Sequence, residues 1–251
     1  MMVGDQNQNS RPGRRPGLQA SLPVGRGVDP APSRDEFCPL CGAPGPFETV
    51  VDIRKRRDRV CPQCRLIFAE TAFLPAPAAE KARYAKHRNG LDDAGYVAFM
   101  KQALEPVLPF LKPEMRGLDY GCGHTPTLHL LLKEAGLRCE NYDPFFFPDW
   151  PAGTFDFLFA TEVVEHFHRP ADEWPRMLSL LKPGGILTVM TAPWEDLDAF
   201  RTWGYASDET HVAFYHRRTL DWIFGKFGLV KLDWRNPRVS VLRNAGNGKT
   251  I

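Results

Sequence analysis

The sequence predicts an α/β fold: a mostly parallel sheet with helices on both faces, preceded by a small four-cysteine module. Three observations lead there. Apolar runs suited to buried strands alternate with helical patterns from residue 84 onward. A strand, a glycine turn and a helix follow one another over residues 116–136. Ahead of them, four of the six cysteines fall in two C-x-x-C pairs.

A chain of 251 residues, 43% hydrophobic, suits one large domain plus a small one, with a real core. No apolar run approaches the roughly 18 residues that span a membrane. The net charge of +2 gives no whole-chain case for nucleic acid or an anionic membrane, so such a case needs a local patch. Residues 1–35, rich in Pro, Gly, Arg and Ser, bury too little to offset their ordering entropy and read as a disordered tail. Arg11, Arg14, Arg15 and Arg26 give it a faint likeness to a transit peptide, but its Pro and Gly oppose an amphipathic helix. It lacks the apolar core of a secretory signal, so the expected compartment is cytoplasmic.

Residues 36–72 form the cysteine module. Cys38-Pro-Leu-Cys41 and Cys61-Pro-Gln-Cys64 enclose nineteen residues, a zinc-ribbon spacing. Two residues between thiolates let one tight turn aim both sulfurs at one ion, and a second turn completes a tetrahedral Zn²⁺ site. Four protein ligands leave no open position, so the zinc is structural. Disulfides, a redox C-x-x-C pair and iron are the lesser readings. So short a segment has little core of its own, and the metal supplies stability. Between the turns, residues 47–51 and the Arg59-Val60 pair suggest a hairpin bearing Arg54, Lys55, Arg56, Arg57 and Arg59. Two readings stand for it: a face that grips nucleic-acid phosphate, or a solvated tip.

The larger domain spans residues 78–251. Apolar positions from Tyr96 to Leu111 recur near a 3.6 period, predicting a helix over residues 84–112 that Pro106 and Pro109 kink or split. Lying before the sheet, it can roof the site. Residues 116–120 read as a strand, Gly121-Cys122-Gly123 as a sharp turn, and residues 127–136 as a helix. The third glycine of a dinucleotide fingerprint is missing, and Asp119 suits a cationic amino group better than a pyrophosphate. Residues 137–143 read as a second strand ending in Asp143. That carboxylate either accepts from ribose hydroxyls or opens the Asp143-Pro144 turn, and the glycine turn upstream favours ribose. Residues 155–161 suit a buried parallel strand. Then come a helix over 174–181 closed by Lys182-Pro-Gly-Gly, a strand over 186–191, a helix over 218–227, and a strand pair over 229–234 and 239–243.

The ordered set Leu-Asp-Tyr-Gly-Cys-Gly, Tyr-Asp, Phe-Asp-Phe-Leu-Phe-Ala-Thr-Glu-Val-Val-Glu-His and Leu-Leu-Lys-Pro-Gly-Gly resembles the class I S-adenosylmethionine-dependent methyltransferases. It is most similar to the branch whose fourth motif ends in Glu-Val-Val-Glu-His, and the likeness covers residues 80–243. The resemblance implies a Rossmann-like sheet. It implies S-adenosyl-L-methionine as cofactor, with Asp119, Gly121 and Gly123 at the methionine end, Asp143 at the ribose, and Thr161 and Glu162 at the sulfonium. One departure stands out. Only twelve residues separate Asp143 from Asp156, too few for the usual helix and third strand. The polar adenine contact from that region is then in doubt, and Phe145, Phe146 or Trp150 can pack on the adenine or under the sheet edge instead.

Residues 194–215 are unusually aromatic and suit a pocket floor or lid, or ordinary packing. The segment around His211 resembles one that faces the acceptor in this branch. Oxygen and some nitrogen acceptors must lose a proton, and His211 and His166 are the candidate bases, with Glu165 behind them. Glu162, Glu165 and His166 can alternatively hold Mg²⁺. The expected acceptor is a small molecule. An rRNA or tRNA acceptor reached through Arg54, Lys55, Arg56 and Arg57, or a non-catalytic protein that only binds S-adenosylmethionine, are the alternatives.

Overall fold

A computed structural model describes residues 34–86, 90–233 and 236–246. The tail expected over residues 1–35 therefore lies, up to residue 33, outside the described residues, as does Trp234. At its end Arg34 is buried and donates to the Val212 carbonyl at 3.2 Å and the His168 carbonyl at 3.3 Å. The described residues fall within one unit, Pro32–Ile251. Among them, no helix is long and apolar enough to cross a membrane.

The cysteine module supplies strands β1 (Glu48–Val51), β2 (Arg57–Val60) and β3 (Ile67–Ala69). Helices α1 (Pro77–Tyr84) and α2 (Ala94–Leu104) follow. Asp93 caps α2, accepting from the Gly95 and Tyr96 amides at 2.9 Å. The single helix expected over 84–112 is thus divided. α2 stops just before Pro106, and a short 3-10 turn, Leu108–Phe110, carries Pro109 in its first turn. Glu105 still has helical backbone, but Pro106 has no amide hydrogen to continue the ladder and its ring crowds the preceding turn, which explains the stop.

Strand β4 (Arg116–Tyr120), helix α3 (Thr127–Glu134), β5 (Arg138–Tyr142) and β6 (Phe155–Thr161) fall where the pattern puts them. Helix α4 (Pro170–Leu178) starts four residues early. β7 (Leu181–Met190) runs through the Lys182-Pro-Gly-Gly stretch expected to close that helix. There Leu181 already pairs with Phe155, and the register slips between Phe155 and Phe157 to absorb the glycines. Short α5 (Leu197–Thr202), β8 (Ala213–Phe214), α6 (Arg217–Lys226), β9 (Leu229–Asp233) and β10 (Val239–Asn244) complete the chain.

The main sheet has the order β5-β4-β6-β7-β10-β9, parallel from β5 to β7 and antiparallel beyond. No described strand lies between β5 and β6 in sequence, so β5 forms the sheet edge and the shortened connection is real. On β6, Phe157 and Phe159 pack into one cluster with α2 and α3, while Leu158 and Ala160 pack into another with α4 and α6. This period-two division is why an unbroken apolar run forms a strand covered on both faces. Strand order reverses between β4 and β6, so their carboxyl ends open a crevice.

The cysteine module does not stand apart. β3 pairs antiparallel with β8, making a second sheet of order β1-β2-β3-β8. Cys38, Cys61, Cys64, Leu66 and Phe68 share a core with Leu118 and Trp174.

Candidate active site

The glycine turn closes one end of the crevice. Gly121 has φ +79°, and a Cβ there would lie 2.5 Å from Val163 Cγ2, so both backbone and space demand glycine. Gly123, at φ +67°, donates its amide to Asp143 Oδ2 at 3.0 Å. Asp143 Oδ1 accepts from the amides of Phe145 (2.8 Å) and Phe146 (3.1 Å). Asp143 thus opens the turn after β5, and it also lines the cavity. Thr161 ends β6 on the opposite wall, its buried Oγ1 without a partner among the described residues. Glu162 follows with φ +53°, strained for a residue bearing a Cβ, and Arg238 Nη2 holds both its oxygens at 3.1–3.2 Å.

Asp119 is buried on β4 between Asn141 and Phe159 and is not among the residues that line the cavity. Burial, with the Asp143 charge nearby, pushes its carboxyl up to about 7.

The cavity above this turn measures about 660 Å³. α2 roofs it with Tyr96, Phe99 and Met100, and α1 adds Tyr84. Of the three aromatics considered for the adenine, Phe145 lines the cavity; Phe146 packs on His124, and Trp150 packs on Tyr142 under the Arg176 guanidinium. A polar side cavity of about 480 Å³ shares Glu162 and His211 with the first and is also lined by Arg54, Arg83 and Asp208.

His166 and His211 stand together at the far end, ring centroids 4.8 Å apart. His166 Nδ1 donates to the Thr210 carbonyl at 2.9 Å, and His211 Nδ1 to the Tyr205 carbonyl at 2.7 Å. A carbonyl only accepts, so both rings carry their proton on Nδ1 and keep an Nε2 lone pair. Burial holds His166 down at about 3 and His211 at about 4. Glu165 is fully buried, accepting from Tyr205 and Thr191 hydroxyls, and burial beside Glu162 pushes it up to about 8. Ligand atoms of Glu165, His166 and His211 lie within 4.8 Å of one another. Glu162, engaged by Arg238, is outside that group, so the set weighed for Mg²⁺ does not assemble.

The aromatic segment 194–215 is mostly packing. Trp194, Phe200 and Phe214 are buried against Val50, Val60 and Ile67 of the cysteine module, and Tyr205 and His211 are its ring residues that line a cavity.

In the module, the Cys38 and Cys64 sulfurs lie 3.6 Å apart, as do those of Cys41 and Cys61. All four lie within 4.8 Å of one another. A tetrahedral ion with Zn–S bonds of about 2.3 Å spaces its sulfurs at roughly 3.8 Å, whereas a disulfide needs about 2.05 Å. The cluster fits a four-thiolate metal. The hairpin does not offer four cations to a phosphate. Arg56 is buried between Asp52 and Asp58, and Arg57 pairs with Glu70, which leaves Arg54 and Lys55.

Arg238 carries no signal in the sequence; Tyr84 and Tyr96 enter the reading only through the helix expected to roof the crevice, Tyr205 through the aromatic segment and Arg56 through the basic hairpin.

A family model described as a methyltransferase domain matches residues 84–233, more than half of the chain. No curated protein sequence matches it. Among solved structures it is similar to the 1,6-didemethyltoxoflavin-N1-methyltransferase of Burkholderia thailandensis, which holds 1,6-didemethyltoxoflavin and S-adenosylhomocysteine. That likeness has 16% identity and a TM-score of 0.49, over 79% of this chain and 100% of that one. It is also similar to the N-methyltransferase NodS of Bradyrhizobium japonicum WM9, in complex with S-adenosylhomocysteine (15% identity, TM-score 0.44, 66% of this chain and 97% of that one).

Proposed function

Because the chain belongs to the methyltransferase-domain family and is an S-adenosylmethionine-dependent methyltransferase, we propose that its acceptor is a small molecule taken up between Glu162 and His211. The observation that carries this reading is the cavity itself. About 660 Å³ lies within the range of small-ligand sites, with the glycine turn and Asp143 at one end and two neutral imidazoles at the other. The side cavity sharing Glu162 and His211 gives the acceptor room beyond the methyl-transfer point.

The residues divide the work. Gly121 and Gly123 let the backbone approach the amino-acid part of the cofactor, and Asp143 accepts from its ribose. Thr161 Oγ1 offers an unsatisfied polar atom beside the sulfonium. The cofactor supplies an electrophilic methyl group. The protein must align acceptor and methyl and exclude water. His211 accepts the acceptor's proton on Nε2, with His166 as the neighbouring imidazole. Its depressed pKa keeps that lone pair available throughout the neutral range. Cys38, Cys41, Cys61 and Cys64 hold one structural Zn²⁺.

Incubating the protein with methyl-labelled S-adenosylmethionine and a cell extract tests the acceptor class. Label should appear in the acid-soluble small-molecule fraction and disappear with Asp143→Ala. Label confined to RNA or protein would overturn the reading.

A further inference from the structure

Arg56 is the most heavily committed side chain in the cysteine module. It sits at the hairpin beside β2, 7% exposed. Its Nε lies 3.1 Å from Asp58 and 3.4 Å from Asp52. Nη1 donates to the His211 carbonyl at 2.9 Å and the Asp208 carbonyl at 3.3 Å, and Nη2 to the Ala206 carbonyl at 3.0 Å. The guanidinium also lies over the Phe214 ring, 5.4 Å from its centroid.

A buried cation is costly unless it is paired and hydrogen-bonded throughout. Here the two carboxylates balance the charge. The remaining donors all go to one short segment, residues 206–211, some 150 positions away in the chain. That segment runs from the last residues of a 3-10 turn, Gly204–Ser207, to just before β8. Its other anchors are the His211 amide to the Asp208 carbonyl, Thr210 to Asp208 Oδ1, His166 Nδ1 to the Thr210 carbonyl, the Ala206 amide to the Trp203 carbonyl and the Arg83–Asp208 pair; none of these holds the His211 carbonyl. His211 takes its orientation from the Tyr205 carbonyl on one side and from its own backbone, gripped by Arg56, on the other.

We propose that Arg56 is a positioning residue for His211, through which the cysteine module sets the acceptor end of the cavity. The inference rests on the acceptor-end reading of His211, but its readout does not. Arginine is required because five donors in a planar fork reach carboxylates and carbonyls together, which the compact ammonium of lysine cannot do. The groups facing the His211 ring are His166, Glu165, Tyr205, Asp208, Arg83 and Arg56, so its titration and tautomer report on this arrangement directly.

The test uses imidazole nitrogen NMR on the full-length protein, with His211 assigned by His211→Gln. In the unaltered protein the ring should be an Nδ1–H tautomer that titrates far below ordinary histidine. Arg56→Lys and Arg56→Met should raise the His211 midpoint by about one pH unit or more and mix its tautomers. His216, which caps α6, should be unmoved, and S-adenosylhomocysteine affinity should stay within about twofold. A role in stability alone would lower the melting temperature and leave the ring unchanged, which would overturn the proposal. If neither variant folds, hydrogen exchange of the unaltered protein decides. Amides of residues 208–212 should open together with those of 52–58, and independent opening would overturn it. Normal turnover by His211→Gln removes the base reading while leaving the positioning result intact, so the two failures are distinguishable.

Discussion

Replacing Asp143 with alanine removes a carboxylate already shared by three backbone amides: Gly123 at 3.0 Å, Phe145 at 2.8 Å and Phe146 at 3.1 Å. An ionised carboxylate accepts about four hydrogen bonds, so roughly one site remains for a ribose hydroxyl. A hydrogen bond to a charged group contributes about 1.5–3 kcal/mol, and its loss should weaken S-adenosylhomocysteine binding roughly ten- to a hundredfold. The same substitution removes the side-chain tie between the glycine turn and the turn after β5, leaving the Gly121 and Cys122 amides on the Tyr142 carbonyl, so the ligand-free protein should also melt lower. Asparagine should not rescue binding. It keeps one accepting oxygen but turns an NH₂ group toward either Gly123 or the Phe145–Phe146 amides, donor against donor. Calorimetry with S-adenosylhomocysteine and thermal melting of the ligand-free protein separate the two roles. A lower melting temperature with unchanged affinity would refute the ribose assignment and leave Asp143 as a turn residue only.

Three further outcomes are expected. Purified protein should carry one zinc per chain, and Cys61→Ser should lose it and destabilise the module; metal analysis showing a folded, metal-free protein with four alkylatable cysteines would contradict this. His211→Ala should slow turnover by about 10²–10⁴-fold with cofactor affinity unchanged, and His166 becomes the next residue to test if it turns over normally. Stability should fall as pH rises from about 6.5 to 8. Glu165 is raised to about 8 in the fold, so above its unfolded value the folded state holds the extra proton and loses that advantage on the way up. Asp119, at about 7, acts in the same sense over the lower part of the window. His166 and His211, depressed by burial, give the opposite slope but only below about 6.5. Glu165→Gln should therefore flatten the 6.5–8 limb in denaturant titrations, and an unchanged slope would count against the buried carboxyl.

What the sequence discloses follows from how local each constraint is. The glycine turn is legible because the positive φ at Gly121 and Gly123 is a local demand that glycine meets, whereas the close approach of Val163 comes from 42 residues away and is not local. The thiolate cluster is legible because ligand spacing is itself local geometry. The missing third strand is a matter of counting, since twelve residues cannot hold it. Asp119 marks a limit, because a strand residue before a turn reads the same whether its side chain faces the crevice or the strand's buried side. Arg54, Lys55, Arg56 and Arg57 are indistinguishable in sequence. Only tertiary partners separate a buried guanidinium from exposed neighbours, and those partners lie far along the chain. The aromatics of residues 194–215 likewise depend on Val50, Val60 and Ile67, which no local pattern connects to them.

The electrostatics of the acceptor end are consistent with methyl transfer from a sulfonium. Glu162 carries its charge against Arg238, and burial keeps Glu165 protonated and both histidines neutral near pH 7. Glu165 and the two histidines then add no charge of their own to hold the sulfonium in its ground state. When a neutral acceptor attacks, positive charge disperses from sulfur toward the acceptor, and a water-poor wall of Tyr84, Tyr96 and Phe145 opposes that change less than bulk water would. An ionised Glu165 would instead attract the reactant cation. The prototropic state of this one buried carboxyl therefore links the folding stability measured between pH 6.5 and 8 to the charge that the reacting methyl group meets.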